Sequence, residues 1–548
     1  MKRSAYKTIF FYIVAIIAAL VAYQVYPSID IISKDSILFS SERVAADINI
    51  ISKSPHSIEH PKERKVVAEY LFHRLEQMGG AVQSFEYDSI KCKFGGYFNI
   101  ENVYGQFDPL SVTDSTKYIL LVAHYDSRYH QKVLQDTVYS YGAADDGYGV
   151  GVILELVNVA LKYRGDWQQG IKVLFTDAEE HNLDGMRSMV EFDNHLLRNV
   201  NMVINVEARG VKGPALLFET SVGNSKVMEL YKEARNPYTY SLTTLVYRVL
   251  PNNTDFTIVK DSIPGFNFSV IDNLKYYHTD KDNFSNISLK SIQHYGIQIA
   301  PIMEKYLTSG EYGSSTILTS GRDSIFFTIP LLGLFLFSKT EYVIINLVVL
   351  ILFGILFWFY SQWKGFKIVN VLKCMAWPFL FFAGSLIAGE VIGWIAACLN
   401  NEKFDFVGVK YVEYDYVIAI VSMVILFLWI LIFHRLKSQK NTLFGYEYLF
   451  ATLLFMALLL FIMMVTVLEN FFILVPVLCT CIALSLAVVK YLNAFYLVSV
   501  AVIMLLGFSF FYCLITALTI GSLGIVLALV SLYISLVVCQ YYLFKRNI

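Results

Sequence analysis

The sequence predicts an α/β fold, in which a mixed and mostly parallel sheet is flanked by helices, followed by an α-helical transmembrane bundle. Continuous apolar runs such as Tyr118–Ala123 and Ile171–Thr176 are typical of strands that are buried on both faces. Between them, Gly149–Tyr163 carries apolar residues with a helical period. Beyond Glu341 the chain is apolar almost to its end, which is typical of a membrane domain.

Further elements complete this pattern. The runs Met202–Val206 and Gly265–Ile271 predict a third and a fourth strand. Residues from about Gly185 to Leu197 predict a helix, and Glu63–Gly79 has the pattern of an amphipathic helix that packs on the sheet. Strands that alternate with helices in this order indicate a sheet covered on both faces.

The composition excludes a single soluble domain. Of the 548 residues, 56% are hydrophobic, whereas the part from about Ser28 to Arg322 has the composition of an ordinary soluble domain. The net charge of -1 gives no indication of a nucleic-acid partner. Among the seven cysteines only Cys92 falls in the soluble part, so we expect no internal disulfide there.

Eight apolar stretches predict membrane spans, since a bilayer needs about 20 residues of helix. The first is interpreted as a retained anchor, because no clear small-residue cleavage site follows it. The predicted domains are an anchor at 1–27, an exported domain at 28–324 and a bundle of about seven helices at 325–548. Ile325–Phe337 is apolar but short, so we expect an interfacial or partly buried helix, with a ninth span as the alternative. The eight predicted spans are 9–26, 343–361, 375–399, 415–434, 447–467, 470–489, 493–516 and 519–543.

The basic residues predict how the chain is oriented. Lys and Arg are enriched in the loops that face the cytoplasm. This rule places both termini in the cytoplasm and the exported domain outside it. We expect an integral multi-pass protein of a bacterial plasma membrane facing the periplasm, with an endoplasmic-reticulum or vacuolar membrane and a luminal domain as the alternative. The basic residues are Lys2, Arg3, Lys7, Lys364, Lys367, Arg435, Lys437, Lys440, Lys490, Lys545 and Arg546.

A set of ionisable side chains follows the predicted strands. In an open α/β sheet, ligands bind beyond the carboxyl ends of the strands, so these side chains should meet at one edge. Buried charges of this kind are stabilised when they surround a cation. The side chains are His124 and Asp126 after the first strand, Glu179 and Glu180 after the second, Glu207 after the third, Tyr277 and His278 after the fourth, and Asp145 and Asp146 in a loop that leads into a helix.

The chemistry of this set indicates a metal site. Imidazole and carboxylate groups without a thiolate favour zinc, with manganese or cobalt as alternatives. Two histidines and several carboxylates exceed the needs of one tetrahedral zinc ion, so two ions that share a bridging carboxylate fit better. The adjacent Glu179 and Glu180 can then divide the work, since one ligates metal while the other takes a proton from water.

The motifs "AHYDS", "GAADDGYG", "FTDAEEHNLDG", "INVEARG" and "YYHTDKD" resemble those of the M28 zinc metallopeptidases, a class that includes aminopeptidases with two zinc ions. They occur in the family's order over roughly Ser40–Leu307. The predicted layout has one span, then an exported domain and then many further spans. This layout resembles that of the endoplasmic-reticulum metallopeptidase and vacuolar membrane protease group. The resemblance implies a zinc aminopeptidase-like αβα sandwich that hydrolyses the N-terminal residues of exported peptides or proteins.

The resemblance also implies which residues bind the metal. His124 and Glu207 would bind one zinc ion, and Glu180 and His278 would bind the other. Asp145 would bridge both ions. Many soluble members have Asp at the position of Glu207, and Glu still provides a zinc ligand.

Further roles follow from the same resemblance. Glu179 would be the general base, and Tyr277 would stabilise the oxyanion. Asp126 would orient His124, and Asp146 would support the ligands through a bond to Asp145 that is often cis in this family. A carboxylate near the metals, Glu207 or Asp255, would hold the free α-amine of the substrate.

Three other functions are weighed against this one. A glutaminyl cyclase shares the scaffold but uses a single zinc ion, and the presence of both His124 and Asp145 argues against it. A receptor with an inactive peptidase domain would have lost ligands, and none is missing from the motifs. A transporter with a peptidase-like sensor domain stays open because of the seven C-terminal spans. The sequence leaves the oligomeric state and the peptide preference undecided.

Overall fold

The computed structural model describes residues 2–24, 29–133, 136–249, 252–319, 321–441, 443–488 and 494–546. Its strands are β1 (Ala81–Lys91), β2 (Tyr97–Phe107), β3 (Tyr118–His124), β4 (Gln131–Val133), β5 (Asp136–Val138), β6 (Gly170–Thr176), β7 (Val200–Ala208), β8 (Leu216–Thr220), β9 (Gly265–Val270), β10 (Ser324–Ile329) and β11 (Gly333–Ser338). The predicted boundary at 27/28 and Lys490 lie outside the described residues.

The helices are interspersed with strands up to β11, and the helices that follow β11 come one after another. They are α1 (Lys2–Gln24), α2 (Ser41–Ile51), α3 (Pro61–Gln77), α4 (Gly147–Ala160), α5 (Glu179–Asn182), α6 (Asp184–Phe192), α7 (Ser225–Tyr231), α8 (Ser241–Val249), α9 (Phe256–Val259), α10 (Leu289–Thr308), α11 (Lys339–Lys364), α12 (Ile368–Cys374), α13 (Ala376–Leu399), α14 (Asp415–Lys440), α15 (Phe444–Thr466), α16 (Phe471–Ala487), α17 (Ala494–Leu518) and α18 (Leu523–Arg546).

Seven strands form one mixed sheet in the order β1-β2-β6-β3-β7-β9-β8. The four central strands β6, β3, β7 and β9 are parallel, so their carboxyl ends meet at one edge. The outer strands β1, β2 and β8 are antiparallel to their neighbours. This arrangement confirms the predicted mixed sheet, in which the parallel strands form the centre.

Helices cover both faces of this sheet. Successive residues of a strand point to opposite faces, so Ile119 and Leu121 of β3 join one apolar cluster while Leu120 and Val122 join another. The first cluster contains residues of α2, α3, α4 and α10. The second contains Met186 and residues of α9. The continuous apolar runs of the central strands are explained by this burial on two sides.

The segment expected to be an interfacial or partly buried helix is a β-hairpin, so that prediction is wrong. Strands β10 and β11 pair with each other in a sheet of two strands. Their β-branched and aromatic residues favour strands, and the rings of Phe327 and Phe335 stack at a centroid distance of 5.3 Å. Leu331 and Gly333 have φ of 68° and 90°, so the chain reverses between the two strands instead of continuing as a helix.

The chain divides into two compact units. One contains Tyr26–Thr328 and Leu334–Ser338, and the other contains Met1–Val25, Ile329–Gly333 and Lys339–Ile548. In the second unit α13 and α18 pack closely at Gly524. A Cβ on this glycine would lie 2.3 Å from the carbonyl oxygen of Leu386, so a larger residue would separate the helices.

Six helical segments of the described residues are long and apolar enough to cross a membrane. They are Lys339–Lys364, Ile368–Leu399, Asp415–Lys440, Phe444–Thr466, Ala494–Leu518 and Ile520–Lys545. Shorter apolar helices at Tyr6–Ala22 and Phe471–Ala487 correspond to the first and sixth predicted spans. The chain is therefore a membrane protein with about six candidate spans, and its orientation stays a prediction.

Candidate metal centre

His124 is the last residue of β3 and points its Nε2 atom into a cluster of carboxylates. Its Nδ1 atom lies 3.0 Å from the carbonyl oxygen of Asp126 and 3.3 Å from the carboxylate of the same residue. These contacts fix the orientation of the ring, which is 1% exposed. Nε2 lies 3.3 Å from Asp145 Oδ1 and 3.6 Å from Glu207 Oε2.

Asp145 belongs to one of two groups of ligand-type side chains and also faces the other group. One group contains His124, Asp146 and Glu207, and the other contains Asp145, Glu180 and His278. In each group the ligand atoms lie within 4.8 Å of one another, so each group can hold a metal ion. Asp145 Oδ2 is 3.2 Å from His278 Nε2, while Oδ1 faces the histidine of the other group.

The loop before α4 is shaped so that two adjacent carboxylates reach the centre. The Asp145–Asp146 peptide bond is cis. Asp146 also begins α4, because its Oδ1 atom accepts a hydrogen bond from the Gly149 N–H at 3.0 Å. A Cβ on Gly149 would lie 2.2 Å from Asp146 Oδ2, so only glycine allows this approach. Asp146, expected to support the ligands, thus belongs geometrically to the His124 group.

Glu180 is held in place from two sides. Its Oε1 atom lies 2.8 Å from His278 Nε2. Its Oε2 atom accepts a hydrogen bond of 2.8 Å from Arg128, which also donates to the Glu180 carbonyl oxygen at 2.9 Å. The guanidinium of Arg128 lies 4.1 Å from the centroid of the Tyr129 ring. The sequence interpretation did not single out Arg128, although it follows His124 and Asp126 at alternate positions.

Glu207 and His278 come from neighbouring parallel strands. Glu207 lies on β7, and its Oε1 atom accepts a hydrogen bond of 3.1 Å from Asn205. His278 follows β9 and has φ of 60°, an uncommon conformation for a residue other than glycine. The ring of Tyr277 stacks on the His278 ring with a centroid distance of 3.6 Å. This stacking places the predicted oxyanion phenol against a predicted ligand of the second group.

The electrostatic surroundings of Glu179 and Glu180 differ. Burial raises the pKa of Glu179 well above its usual value, and the carboxylates of Glu207 and Glu180 add to this effect against the charge of His124. Burial also acts to raise the pKa of Glu180, but His278 and Arg128 outweigh it and lower this pKa well below its usual value. The side chain of Glu179 makes no hydrogen bond or ion pair with the described residues.

Several buried polar atoms of the centre fit a bound cation. These atoms have no hydrogen-bond partner among the described residues. An unsatisfied buried carboxylate oxygen is costly, and a cation removes this cost. Imidazole and carboxylate donors are the zinc ligands expected where no thiolate takes part. The atoms are Asp126 Oδ2, Asp145 Oδ2, Asp146 Oδ2, Glu180 Oε1 and His278 Nε2.

Asp282 positions the Asp145 loop. Its carboxylate accepts hydrogen bonds from the backbone N–H groups of Ala144 at 2.7 Å and Asp145 at 3.3 Å, and from the Ser140 hydroxyl at 3.0 Å. Burial and the charge of Asp145 raise the pKa of Asp282 to about 7. The sequence interpretation missed Asp282. The signal that could have identified it is its position as a carboxylate four residues after His278.

Asp255, considered as a carboxylate that could hold the substrate's α-amine, stays a prediction for that role. It is 0% exposed and accepts a hydrogen bond from the hydroxyl of Thr176 on β6. Its burial also raises its pKa, to about 6.

Residues 102–303 match the model of Peptidase family M28. The chain contains an M28 peptidase domain. This match confirms the resemblance drawn from the motifs, all of which lie within or at the border of these residues. The M28 domain thus includes the parallel centre of the sheet and every side chain of the two groups.

Curated relatives are named as an endoplasmic reticulum metallopeptidase and as a vacuolar membrane protease. The chain is 29% identical to endoplasmic reticulum metallopeptidase 1 of Mus musculus over 272 residues, which cover 49% of this chain and 29% of that protein. It is 27% identical to vacuolar membrane protease of Schizosaccharomyces japonicus over 286 residues, which cover 50% of this chain and 31% of that protein. The match thus spans about a third of the length of these relatives.

Among solved structures, the chain is similar to a Zn-dependent exopeptidase from Parabacteroides distasonis. The identity is 21% and the TM-score 0.40, with 48% of this chain and 98% of that chain covered. A glutaminyl cyclase from Porphyromonas gingivalis has 19% identity and a TM-score of 0.39, with 49% of this chain and 99% of that chain covered.

Proposed function

We propose that this chain is a membrane-anchored metallopeptidase that binds two zinc ions and removes N-terminal residues from peptides outside the cytoplasm. The observation that carries the proposal is the position of Asp145, whose two carboxylate oxygens face the histidines of two ligand groups. A carboxylate in this position can bridge two ions, which a single-zinc glutaminyl cyclase does not require. The domain match and the names of the relatives support a hydrolase.

The residues around the ligands supply the proton chemistry. Zinc bound here would polarise the scissile carbonyl and make water more acidic. Glu179 accepts the proton of the attacking water and passes it to the leaving amine. The backbone N–H of Glu179 donates to Asp126 Oδ1 at 3.0 Å, so the residue that orients His124 also positions the base. Tyr277 donates a hydrogen bond to the oxyanion as it develops.

The division between Glu179 and Glu180 rests on their contacts. Glu180 is engaged by His278 and Arg128, as expected of a metal ligand with support from outside the centre. Glu179 is partly exposed and has no partner for its carboxylate among the described residues. A carboxylate that is free and next to the ligands is suited to transfer protons.

The substrates are exported peptides or the N-termini of exported proteins. The charge bias of the loops supports an extracytoplasmic domain, since Lys and Arg cluster in the predicted cytoplasmic loops and at both ends of the chain. A bacterial plasma membrane is the favoured location, with an endoplasmic-reticulum or vacuolar membrane as the alternative. In each case the surrounding lipid is a partner of the apolar helices.

The test uses the full chain, purified in detergent and saturated with zinc. Peptides with a free N-terminus are compared with the same peptides after N-acetylation, and products are identified by mass spectrometry. We expect loss of single N-terminal residues from the free peptides only. If acetylated peptides are cleaved equally well, or if internal bonds are cut, the protein is an endopeptidase and not an aminopeptidase. No hydrolysis by a zinc-loaded protein would favour a transporter or receptor, which flux measurements in vesicles then examine.

A further inference from the structure

Arg209 follows the end of β7, beside the metal centre, and its backbone is fixed there. Its N–H group donates to the Ser269 hydroxyl at 3.0 Å and to the Val270 carbonyl oxygen at 2.9 Å. Both acceptors belong to β9, the strand that precedes Tyr277 and His278. The backbone of Arg209 is therefore held at the edge where the predicted ligands meet.

Arg209 lies in the bend two residues after Glu207, whose carboxylate faces His124. The charge of Arg209 acts on the phenols at this edge. Burial raises the pKa of Tyr277 well above its usual value, and the guanidinium of Arg209 opposes this effect. Burial likewise raises the pKa of Tyr247 in α8, and the charge of Arg209 again acts to lower it.

Two arginines lie at this edge, and they differ in their partners. Arg128 makes an ion pair of 2.8 Å with Glu180. Arg209 is half-buried and makes no side-chain hydrogen bond or ion pair with the described residues. Among the described residues, the carboxylates of Glu180 and Glu207 pair with His278, Arg128 and His124 and not with Arg209. A half-buried guanidinium without an anion is suited to bind one that arrives with the substrate.

We propose that Arg209 determines specificity by binding a carboxylate of the substrate close to the scissile peptide bond. The carboxylate is either an acidic side chain at the substrate's N-terminus or the terminal carboxylate of a very short peptide. This inference rests on the proposed peptidase function and adds a substrate class to it. Guanidinium and carboxylate form paired hydrogen bonds, which an amide of the same shape does not replace.

The experiment compares peptides that differ only in one charge. Glu-Ala amide is compared with Gln-Ala amide for the side chain, and Gln-Ala with a free carboxylate is compared with Gln-Ala amide for the terminus. Full-chain wild type, Arg209→Met and Arg209→Lys are assayed in detergent with saturating zinc. Lys212→Met is the matched control, because it removes an exposed positive charge three residues further along the chain.

We expect wild type to prefer one of the two carboxylate peptides by about 10-fold to 100-fold in kcat/KM, the usual range for hydrogen bonds to charged groups. Arg209→Met should lose this preference mainly through KM, so that its kcat/KM values for the charged and the neutral peptide lie within about 2-fold of each other. Arg209→Lys should keep part of it, and Lys212→Met all of it. The arm that shows the preference identifies the source of the carboxylate.

Two results would overturn the inference. The first is a wild type without preference in either arm, and the second is an Arg209→Met variant that loses neutral and acidic peptides equally. If the zinc-loaded wild type hydrolyses none of the peptides, the proposed function fails instead. Binding of Glu-Ala amide and Gln-Ala amide to wild type and Arg209→Met, measured by calorimetry, then decides the role of Arg209: equal affinities reject it, and a charge preference lost in the variant supports it.

Discussion

Asp145 faces His124 and His278 with different oxygens of one carboxylate, at 3.3 Å from Oδ1 and 3.2 Å from Oδ2. His124 is the last residue of β3 and His278 follows β9, and these two strands lie on opposite sides of β7 in the sheet. Asp145 therefore stands out among the described residues as one whose loss should affect both ligand groups.

Replacement of Asp145 by Ala should lower the zinc content to well under one ion per chain, whereas His278→Ala should keep about one ion. The wild type should hold about two, because each group offers separate ligands. Metal analysis after dialysis against a low zinc concentration measures these contents. A wild type that holds no more than one ion under zinc-replete conditions would remove the two-metal proposal.

The variant Glu179→Gln should keep both zinc ions and lose turnover. Gln has the shape of Glu but does not accept the proton of water, so kcat should fall by about 100-fold or more. Glu180→Gln is the matched control, and it should lose zinc because Glu180 contacts His278. If Glu179→Gln loses zinc while Glu180→Gln keeps it, the two roles are exchanged.

Arg128→Met should weaken binding of the second zinc ion by about 10-fold to 100-fold, the usual effect of removing a group that supports a ligand. In the wild type, the ion pair between Arg128 and Glu180 orients the Glu180 carboxylate. Arg128→Lys should restore only part of the affinity, because Lys lacks the planar fork. Arg187→Met removes an exposed arginine of α6 as a control. Unchanged zinc affinity in Arg128→Met would show that Glu180 is oriented without it.

His294 should make the folded protein less stable as the pH falls below 6.5. Burial lowers its pKa from 6.5 to about 4, while its ring accepts from the Ala215 N–H. Between pH 6.5 and 4 the unfolded chain therefore binds more protons than the native one, so stability present at neutral pH is lost with acidification. The loss is up to about 3 kcal/mol.

The measurement is the Tm of the full chain at pH 7 and at pH 5. The difference between these values should shrink in His294→Gln relative to wild type. It should stay unchanged in His195→Gln, which alters a largely exposed histidine. An equal difference in all three proteins would assign the acid sensitivity to other groups.

Protease added to intact cells should digest the α/β domain and spare the loop around Arg435. The prediction follows from the distribution of Lys and Arg, which favours cytoplasmic loops. Fragments are detected with tags at the domain and at the C-terminus, and permeabilised cells are the control. Digestion of the domain only after permeabilisation would mean that the orientation is inverted.

The central strands could be predicted because their apolar runs are continuous. The outer strands could not, for physical reasons that differ between them. Strand β1 is largely exposed and carries many polar residues, so it lacks such a run. Strand β8 is buried but short and contains Glu219, whose carboxylate is paired inside the protein with Lys260 at 2.5 Å. Because a charged residue usually indicates an exposed position, the sequence does not predict that this strand is buried.

The candidate ligands could be listed from the sequence because each follows a strand end. The supporting residues could not, since they act through contacts that only folding creates. Arg128 reaches a glutamate from another strand end, and Asp282 binds the backbone of a distant loop. Asp145 and Asp146 also belong to different ligand groups. The sequence motif could not predict this, because it contains only two adjacent aspartates and does not show where their side chains point.

The ligand groups draw on chain segments that extend from residue 124 to residue 278 and meet only in the finished sheet. If the domain is exported as proposed, a chain that is still being translocated lacks a complete centre, and zinc would be bound on the far side of the membrane after folding. The metal then adds its binding energy to the stability of the domain. Zinc scarcity in the proposed compartment should thus lower the stability of the domain and shorten the lifetime of the protein.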